Sequence, residues 1–169
     1  LALTMSLAGS LGVLDGVDPA PPLPVDDDVL RTVHTPGYID AVRAVGSGTA
    51  SLSGPMLERL FGLGSDDNPV FDRMHEAGSI LVGGTLAAAQ AVHSGAVRRA
   101  VNIGGGMHHA MAGHAAGFCI YNDCSIAIKW LLEQGYDRIA YVDIDAHHGD
   151  GVQTCFEADP RVMTISVHQ

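Results

Sequence analysis

Cationic residues are scarce in this chain: nine Lys and Arg stand against nineteen Asp and Glu, for a formal net charge of −10. The deficit argues against a nucleic-acid-binding surface, because such surfaces concentrate positive charge, and it is compatible with basic substrates or partners. Cysteine is scarce too, since Cys119, Cys124 and Cys155 are the only three and form no CxxC pair. An odd number of cysteines argues against a disulfide framework and favours a reducing compartment, so we expect a cytoplasmic protein.

Long apolar runs are also missing. The opening segment LALTMSLAGSLGVL is too short to span a bilayer and lacks the cationic start of a secretion signal, so we predict an amphipathic helix. An apolar content of 47% in 169 residues still allows one domain with a real core. Because the sequence does not begin with Met and stops within the strand-like RVMTISVHQ, we expect a piece of a longer chain.

Helices are predicted in the first half of the chain. Residues 15–28, rich in Pro and Asp, predict a surface loop, and VLRTVHTPGYIDAVRAVGSG predicts short helical segments interrupted at Pro36. The next segment, SLSGPMLERLFGLGSDDNPVF, is rich in turn residues. A long helix follows from about Asp72 to His93, because apolar residues recur at three- and four-residue steps. Gly83 and Gly84 in its middle either weaken it or permit close packing.

Three apolar segments predict buried strands: Val97 to Ile103, DRIAYVDID and VMTISVH. The intervening CSIAIKWLLEQG predicts a helix that ends at Gly135. The order strand, helix, strand indicates a parallel α/β sheet with right-handed crossovers. In the second strand, the residues from Ile139 to Val142 are expected to be buried on both faces.

Polar residues are concentrated at the carboxyl end of that second strand, in AYVDIDAHHGD. Since side chains alternate along an extended strand, Asp143, Asp145 and His147 are expected on one face, where open α/β sheets place their binding crevices. A carboxylate and an imidazole two residues apart suit a divalent ion such as Zn²⁺, although an isolated Asp-x-His is usually structural or solvated. Asp145 and His147 are therefore candidate metal ligands.

A second polar group, GGGMHHA at residues 104–110, supplies the context that an isolated Asp-x-His lacks. Its glycines let the backbone approach a ligand closely. His108 and His109 could be surface residues, but if buried they need acceptors for their N–H groups, and Asp143 and Asp150 are carboxylates of the right kind. Such pairs would raise imidazole basicity and fix the tautomer, as a general base acting on water requires.

The blocks GGGMHHAMAGHAAGFCIYND and YVDIDAHHGDGVQ, with GLGSDDNPVF and VMTISVHQ, resemble the histone deacetylase superfamily, and within it the bacterial acetoin-utilisation (AcuC-like) deacetylases. The resemblance extends over nearly the whole chain but covers about half of a full family domain, so residues 1–169 would be the N-terminal portion of a single domain. It implies an arginase/deacetylase α/β fold, a three-layer parallel sheet flanked by helices and incomplete here. It also implies zinc-dependent hydrolysis of an N-acetyl-lysine amide, with release of acetate.

The resemblance also implies a role for each matching residue. Asp145 and His147 match zinc ligands. Two histidines and their respective carboxylate partners match the catalytic positions: His108, His109, Asp143 and Asp150. His109 is expected to take the proton from water and return it to the leaving amine, whereas His108 would mainly tune charge.

Substrate and potassium positions follow from the same resemblance. Gly117 and Phe118 match the wall of a narrow channel for the acyl-lysine stem, and Asp66, or its neighbour Asp67, matches a rim position that grips the substrate backbone. The implied partner is an acetylated lysine of a protein or a small acetylated amine. A structural potassium ion is implied near the zinc, with ligands at these positions: Asp143, Asp145, His147, Ser166 and Val167.

Two family features match no residue of this sequence and are expected beyond Gln169: the third zinc ligand, an aspartate, and the tyrosine that stabilises the oxyanion. Two ligands bind zinc poorly, and a missing oxyanion donor costs roughly 10²–10³ in rate, so the chain alone is expected to be inactive. Alternatives are an acetylpolyamine amidohydrolase and a non-catalytic acyl-lysine-binding protein, the latter disfavoured by the intact histidine pair. An arginase-like ureohydrolase would need an aspartate where Gly149 stands.

Overall fold

Seven helices and two strands make up the regular structure in the computed structural model, which describes residues 2–17 and 19–169. In chain order the elements are α1 (Ala2–Ser10), α2 (Asp27–Leu30), α3 (Pro36–Gly46), α4 (Gly54–Phe61), α5 (Met74–His93), α6 (Asp123–Glu133), β1 (Ile139–Asp143), α7 (Asp150–Phe156) and β2 (Val162–Ser166). The predicted long helix is confirmed as α5, and the predicted helix before Gly135 is confirmed as α6. Pro36 is the first residue of α3 and separates it from α2. Proline suits the first position of a helix because its φ is already helical and no backbone N–H is needed there.

The two strands pair in parallel. Their register sets Ile139 opposite Val162 and Asp143 opposite Ser166. Helix α7 lies in the connection between them, because parallel neighbours need a crossover and cannot be joined by a hairpin. The second and third predicted strands and their parallel arrangement are therefore confirmed.

Only one face of this sheet is covered by the described residues. On that face Ile139, Tyr141 and Val162 pack against α6 and α7. On the other face the side chain of Val142 is 57% exposed and that of Met163 is 58% exposed. The expectation that β1 is buried on both faces is therefore wrong for the described part of the chain, in which helices lie against one face of the sheet.

The predicted strand from Val97 to Ile103 is wrong. This segment has no regular secondary structure, and its side chains Val97, Val101 and Ile103 are exposed. An apolar run becomes a strand only where a neighbouring strand receives its backbone hydrogen bonds, and neither described strand pairs with it. A side chain holds the segment instead, since the Asn102 amide donates to the carbonyl oxygen of Leu81 at 3.0 Å.

The larger apolar core lies between α3, α5 and the start of α6, around the buried rings of Tyr38 and Tyr121. Close packing at α5 depends on its central glycines. A Cβ at Gly83 would lie 1.8 Å from the Leu23 carbonyl oxygen, and one at Gly84 would lie 2.8 Å from the side chain of Asn102. Of the two explanations offered by the sequence, the glycines thus permit close packing.

Helix α4 lies within the segment noted for its turn residues. Those residues are the ends of the helix: Pro55 stands in its first turn, and Gly62 ends it with φ +68°. The segment 15–28 is irregular up to Asp27, where α2 begins, and Asp18 lies outside the described residues.

A helix, α1, forms in the predicted segment, but the prediction that it is amphipathic is wrong, because its apolar residues are not gathered on one face. None of its residues is buried, and Leu3, Leu7 and the following Leu11 are exposed. Within residues 2–17 and 19–169, no helix combines the length and the apolarity that crossing a membrane requires.

Candidate active site

A glycine loop leads into the adjacent histidines His108 and His109. Gly106 has φ +94°, a left-handed conformation that costs glycine little, and the chain turns there. The start of α7 packs against the backbone of the pair, because a Cβ at Gly151 would lie 2.5 Å from the His108 carbonyl oxygen. The histidines are therefore held directly against the helix that carries Asp150.

Each histidine is bonded to its own carboxylate. Nδ1 of His108 lies 2.7 Å from Asp143 Oδ2 at the end of β1, and Nδ1 of His109 lies 2.7 Å from Asp150 Oδ1 at the start of α7. Because a carboxylate accepts only, each Nδ1 donates, which leaves Nε2 with the lone pair when the ring is neutral. The two ring centres are 4.1 Å apart. The structure thus brings together the four residues matched to catalytic positions.

The buried carboxylate of Asp143 accepts three hydrogen bonds. Besides His108, the Tyr141 hydroxyl donates to Oδ2 at 2.6 Å and the Asp145 amide donates to Oδ1 at 3.0 Å. Burial by itself would raise the pKa of Asp143, but the hydrogen bonds from Tyr141, His108 and Asp145 outweigh it and hold the pKa below its ordinary value. Tyr141 was absent from the predicted site. The available signal was its place two residues before Asp143, on the same strand face.

Close packing at Gly149 leaves no room for a side chain. A Cβ there would lie 2.3 Å from Asp143 Oδ2 and 3.4 Å from His108 Nδ1. An arginase-like centre needs an aspartate at this position, so the packing argues against that alternative.

Asp145 and His147 follow β1 in a tight bend. The Asp145 amide donates to the Asp143 carboxylate, and the His147 amide donates to Asp145 Oδ1 at 2.8 Å. An aspartate that accepts a hydrogen bond from the backbone N–H two residues later forms a turn of this kind. Such N–H groups are then not available to pair with a neighbouring strand. The expected strand alternation through His147 is therefore wrong beyond Asp143.

The bend nevertheless brings these two side chains to the histidine pair. Asp145 Oδ1 lies 3.9 Å from His108 Nε2 and 3.1 Å from His147 Nδ1. The ring centre of His147 lies 6.0 Å from that of His109. Hydrogen bonds from the His147 backbone and ring lower the pKa of Asp145, so its carboxylate is ionised at neutral pH.

The donor set of Asp145 and His147 fits zinc in its chemistry. One supplies a carboxylate oxygen and the other an imidazole nitrogen, and both side chains are exposed, by 53% and 77%, so both can turn toward a shared ion. The described residues contain no group of three or more His, Cys, Asp or Glu arranged as a complete metal site. A stable zinc centre here would need at least one more ligand.

The third zinc ligand and the oxyanion tyrosine, both expected beyond Gln169, stay predictions. Gln169 itself lies beside the bend that carries the two candidate ligands, because its amide donates to the Ala146 carbonyl oxygen at 3.0 Å. Ala146 stands between Asp145 and His147 in the sequence. Any residues that follow Gln169 would therefore start next to the candidate zinc site.

Gly117 and Phe118 form a strained corner beside His109. Their φ values are +51° and +64°, and a positive φ is rare for a residue as bulky as Phe. A Cβ at Gly117 would lie 2.3 Å from His109 Cδ2, so only glycine leaves room for that ring. Phe118, the residue after Gly117, is 71% exposed.

A surface cleft of about 580 Å³ runs from α4 to Gly117. Asp67 lines this cleft together with Glu58, Arg59 and His114, whereas Asp66 is exposed outside it. Of the two rim candidates, Asp67 is therefore the one that shares a surface with Gly117.

The residues implied for potassium lie at the paired strand ends. Asp143 stands opposite Ser166, and the Val167 amide donates to the Asp143 carbonyl oxygen at 2.9 Å. The Ser166 hydroxyl accepts from the Gly149 amide at 3.3 Å. These contacts bring the implied ligands together but are not specific to an ion, so potassium stays a prediction.

The sequence profile of the histone deacetylase domain matches residues 1–169, the whole chain. The chain belongs to the histone deacetylase family. It is 46% identical over 168 residues to the acetoin utilization protein AcuC of Bacillus subtilis (strain 168), which covers 99% of this chain and 42% of that protein. The AcuC of Staphylococcus aureus (strain MSSA476) is 37% identical over 169 residues, with 100% of this chain and 43% of that protein covered.

Solved structures agree with this family membership. An HDAC homolog from Aquifex aeolicus superposes with a TM-score of 0.79 at 33% identity, over 88% of this chain and 39% of that chain. An HDAC homolog in complex with SAHA gives the same TM-score, identity and coverage. The expected arginase/deacetylase-type α/β fold is therefore confirmed. The chain spans less than half the length of these relatives, so it holds part of a deacetylase domain.

Proposed function

We propose that the whole protein containing this chain hydrolyses the amide of an acetylated lysine and releases acetate. The observation that carries the proposal is the tandem pair of histidines, each bonded through Nδ1 at 2.7 Å to its own carboxylate, beside Asp145 and His147. A protein that only binds acyl-lysine does not need oriented imidazoles, whereas general-base catalysis needs an imidazole held in the right tautomer and position. Membership of the deacetylase family supports the same reaction class.

In this proposal His109 is the general base. Asp150 holds its ring in the tautomer whose Nε2 can accept a proton, and Gly117 leaves space for the ring. Water adds to the acetyl carbonyl carbon while its proton passes to His109 Nε2. The carbon–nitrogen bond then breaks as the same proton is delivered to the leaving amine, which gives acetate and free lysine. The His108–Asp143 pair contributes charge beside this transfer.

Asp145 and His147 would hold the zinc ion, with a further ligand supplied by the rest of the whole protein. When bound, the ion acts as a Lewis acid on the reacting oxygens. The hydrogen bond between His108 and Asp143 does not require the zinc ion, because both partners belong to this chain. Potassium is proposed as a structural ion at the paired strand ends, held by Asp143, Ser166 and Val167.

The substrate would enter along the surface formed by Gly117 and Phe118. The exposed Phe118 ring suits the methylene stem of lysine, and the carboxylate of Asp67 at the neighbouring cleft can accept from backbone N–H groups of a peptide. We place the reaction in the cytoplasm, because the three cysteines are free thiols.

The test compares His109→Ala with unmodified whole protein. We expect turnover of an acetyl-lysine peptide to fall by about 10²–10⁴, the range for loss of a general base, with zinc content by elemental analysis unchanged. His93→Ala, at the exposed end of α5, is the matched control and should keep full turnover. Retained turnover in His109→Ala would overturn the assignment.

Two further measurements separate the alternatives. Turnover of an acetylated polyamine and not of acetyl-lysine peptides would replace the proposed substrate by a small amine. Zinc binding with no turnover of either substrate would favour a non-catalytic binding protein. The 169-residue chain by itself is expected to bind zinc weakly and to show no turnover.

A further inference from the structure

The N-terminus of α6 contacts both sides of the loop that carries the histidine pair, residues 104–112. Asn122 is the cap of the helix and Asp123 is its first residue, and both side chains are fully buried. Neither has a role in zinc binding, proton transfer or substrate contact as proposed above. We infer that Asn122 and Asp123, which we call the α6 clamp, are positioning residues for His108 and His109. The inference rests on the proposed function.

Asp123 holds the loop on the side before the histidines. The Met107 amide donates to its Oδ1 at 2.7 Å, and the Gly106 amide donates to its Oδ2 at 3.0 Å. The Thr85 hydroxyl of α5 donates to Oδ2 as well. The loop backbone also passes close by, since a Cβ at Gly105 would lie 2.4 Å from Asp123 Oδ2. The carboxylate therefore joins the loop to two helices.

Helix formation does not by itself account for this buried carboxylate. Asn122 already caps α6, because its Oδ1 accepts from the Ser125 amide at 2.8 Å. The oxygen and nitrogen donors that surround Asp123 are two backbone amides and one hydroxyl, and burying an acidic side chain away from water is costly. The carboxylate provides two acceptor oxygens for consecutive amides of the loop.

Asn122 holds the loop on the side after the histidines. Its Nδ2 donates to the Ala110 carbonyl oxygen at 2.9 Å, and its backbone amide donates to His34 Nε2 at 2.9 Å. Since Nε2 of His34 accepts, its Nδ1 carries the hydrogen and donates to the Met111 carbonyl oxygen at 3.1 Å. Asn122 thus reaches Ala110 directly and Met111 through the buried ring of His34.

The α6 clamp matters because the two carboxylate partners lie on different elements. Asp143 ends β1 and Asp150 begins α7, so the loop must sit in one position for both Nδ1 contacts to form at 2.7 Å. On the far side of the loop, the Val152 amide of α7 donates to the His108 carbonyl oxygen. A displacement of about 1 Å at such a site can reduce the rate by about 100-fold.

The decisive variant is Asn122→Asp in the whole protein. Asp caps a helix as well as Asn does, so α6 is retained, but an acceptor replaces the Nδ2 donor opposite the Ala110 carbonyl. We expect kcat to fall by about 10- to 100-fold with KM changed less than about threefold, because the loop moves while the substrate surface remains. Zinc content should be unchanged, and hydrogen exchange of the amides in 106–111 should rise while exchange in α6 does not.

Asp123→Asn is the second variant. It replaces one of the two acceptor oxygens by a donor, so the Gly106 and Met107 amides should exchange at least about tenfold faster. Asp137→Asn is the matched control, because Asp137 is exposed just beyond the other end of α6. It should leave kcat, KM and exchange unchanged.

Two results would overturn the inference. One is kcat and 106–111 exchange within twofold of the control in both clamp variants. The other is exchange that rises equally over the whole molecule with a lower Tm, since the residues would then act on stability alone. Exchange is measured without turnover. A local exchange increase in a protein that hydrolyses no acetylated substrate would therefore support the α6 clamp and refute the proposed function.

Discussion

At the scale of single residues, the site depends on positions where a side chain is excluded as much as on the groups that react. Gly117 leaves room for the His109 ring, and Gly149 leaves room for the contact between Asp143 and His108. The sequence shows glycines at these positions but not which side chains lie against them, because those contacts form only when the chain folds. The histidines and carboxylates, by contrast, were predictable from their chemistry.

Replacing Gly117 by Ala should displace the His109 ring. Both Gly117→Ala and the control Gly135→Ala place a Cβ on a left-handed backbone, at φ +51° and +92°, which costs about 1 kcal/mol each. Only the first places that Cβ 2.3 Å from His109 Cδ2. Turnover of the whole protein should fall by about 10²-fold in Gly117→Ala and stay normal in Gly135→Ala. Equal turnover in the two variants would contradict this account.

His34 should make folding stability depend on pH. Burial lowers the pKa of His34 to about 4 from 6.5, so the unfolded chain binds a proton on this ring between pH 6.5 and 4 and the folded chain does not. Its contribution is complete above pH 6.5 and is lost as the pH falls toward 4, by about 3 kcal/mol in total.

The measurement for His34 is the free energy of unfolding in urea between pH 7.5 and 4.5. Gln at position 34 can donate and accept but cannot be protonated, so His34→Gln should lose less stability over this range than unmodified protein. Carboxylates contribute equally to both proteins. The same loss of stability in the two would show that His34 titrates normally in the fold.

At the scale of elements, the sequence predicted a helix correctly where apolar residues recur at helical spacing over many residues. Helix α5 was predicted within two residues of its start, because its repeat of apolar residues can be seen within the segment itself. The segment from Val97 to Ile103 has strand composition but no ladder partner among the described strands, so composition alone misassigned it. Helix α4 was hidden by Pro55 and Gly62, which are turn residues that here begin and end a helix.

Packing of the segment before α2 onto α5 should be sensitive to one methyl group. In Gly83→Ala the new Cβ would lie 1.8 Å from the Leu23 carbonyl oxygen, a backbone atom that cannot rotate away, so we expect a loss of about 1–3 kcal/mol in unfolding free energy. Gly9→Ala in α1 meets open space and should be neutral or stabilising by up to about 1 kcal/mol. Urea denaturation of both variants provides the comparison, and no loss in Gly83→Ala would contradict the packing.

At the scale of the whole molecule, the main exposed apolar surface is the outer face of the sheet, the face opposite α6 and α7. Val142, Met163 and Ile165 are exposed there, although parallel sheets are ordinarily covered on both faces. The relatives are more than twice as long as this chain, since 42% or 43% of their length is covered. In the whole protein we expect this face to be covered.

The 169-residue chain alone should therefore bind hydrophobic dyes and self-associate through this face. The double variant Val142→Thr with Ile165→Thr keeps β-branched residues in both strands and should reduce dye binding and the sedimentation coefficient at high concentration. Val70→Thr, at an exposed apolar position outside the sheet, is the control and should change neither. Unchanged dye binding in the double variant would show that another surface is responsible.

The sequence by itself determined the family, the parallel strand pair and the residues that carry the chemistry, because these depend on residue type and short-range pattern. Only the tertiary structure decided that Asp145 and His147 leave the strand in a bend, that the described helices cover one face of the sheet, and that the start of α6 holds the histidine loop. The bend is held by local hydrogen bonds between side chains and backbone, whereas the position of the histidine loop depends on contacts between distant segments, such as Asn122 with His34 and Gly149 with His108. Their partners are known only once the chain has folded.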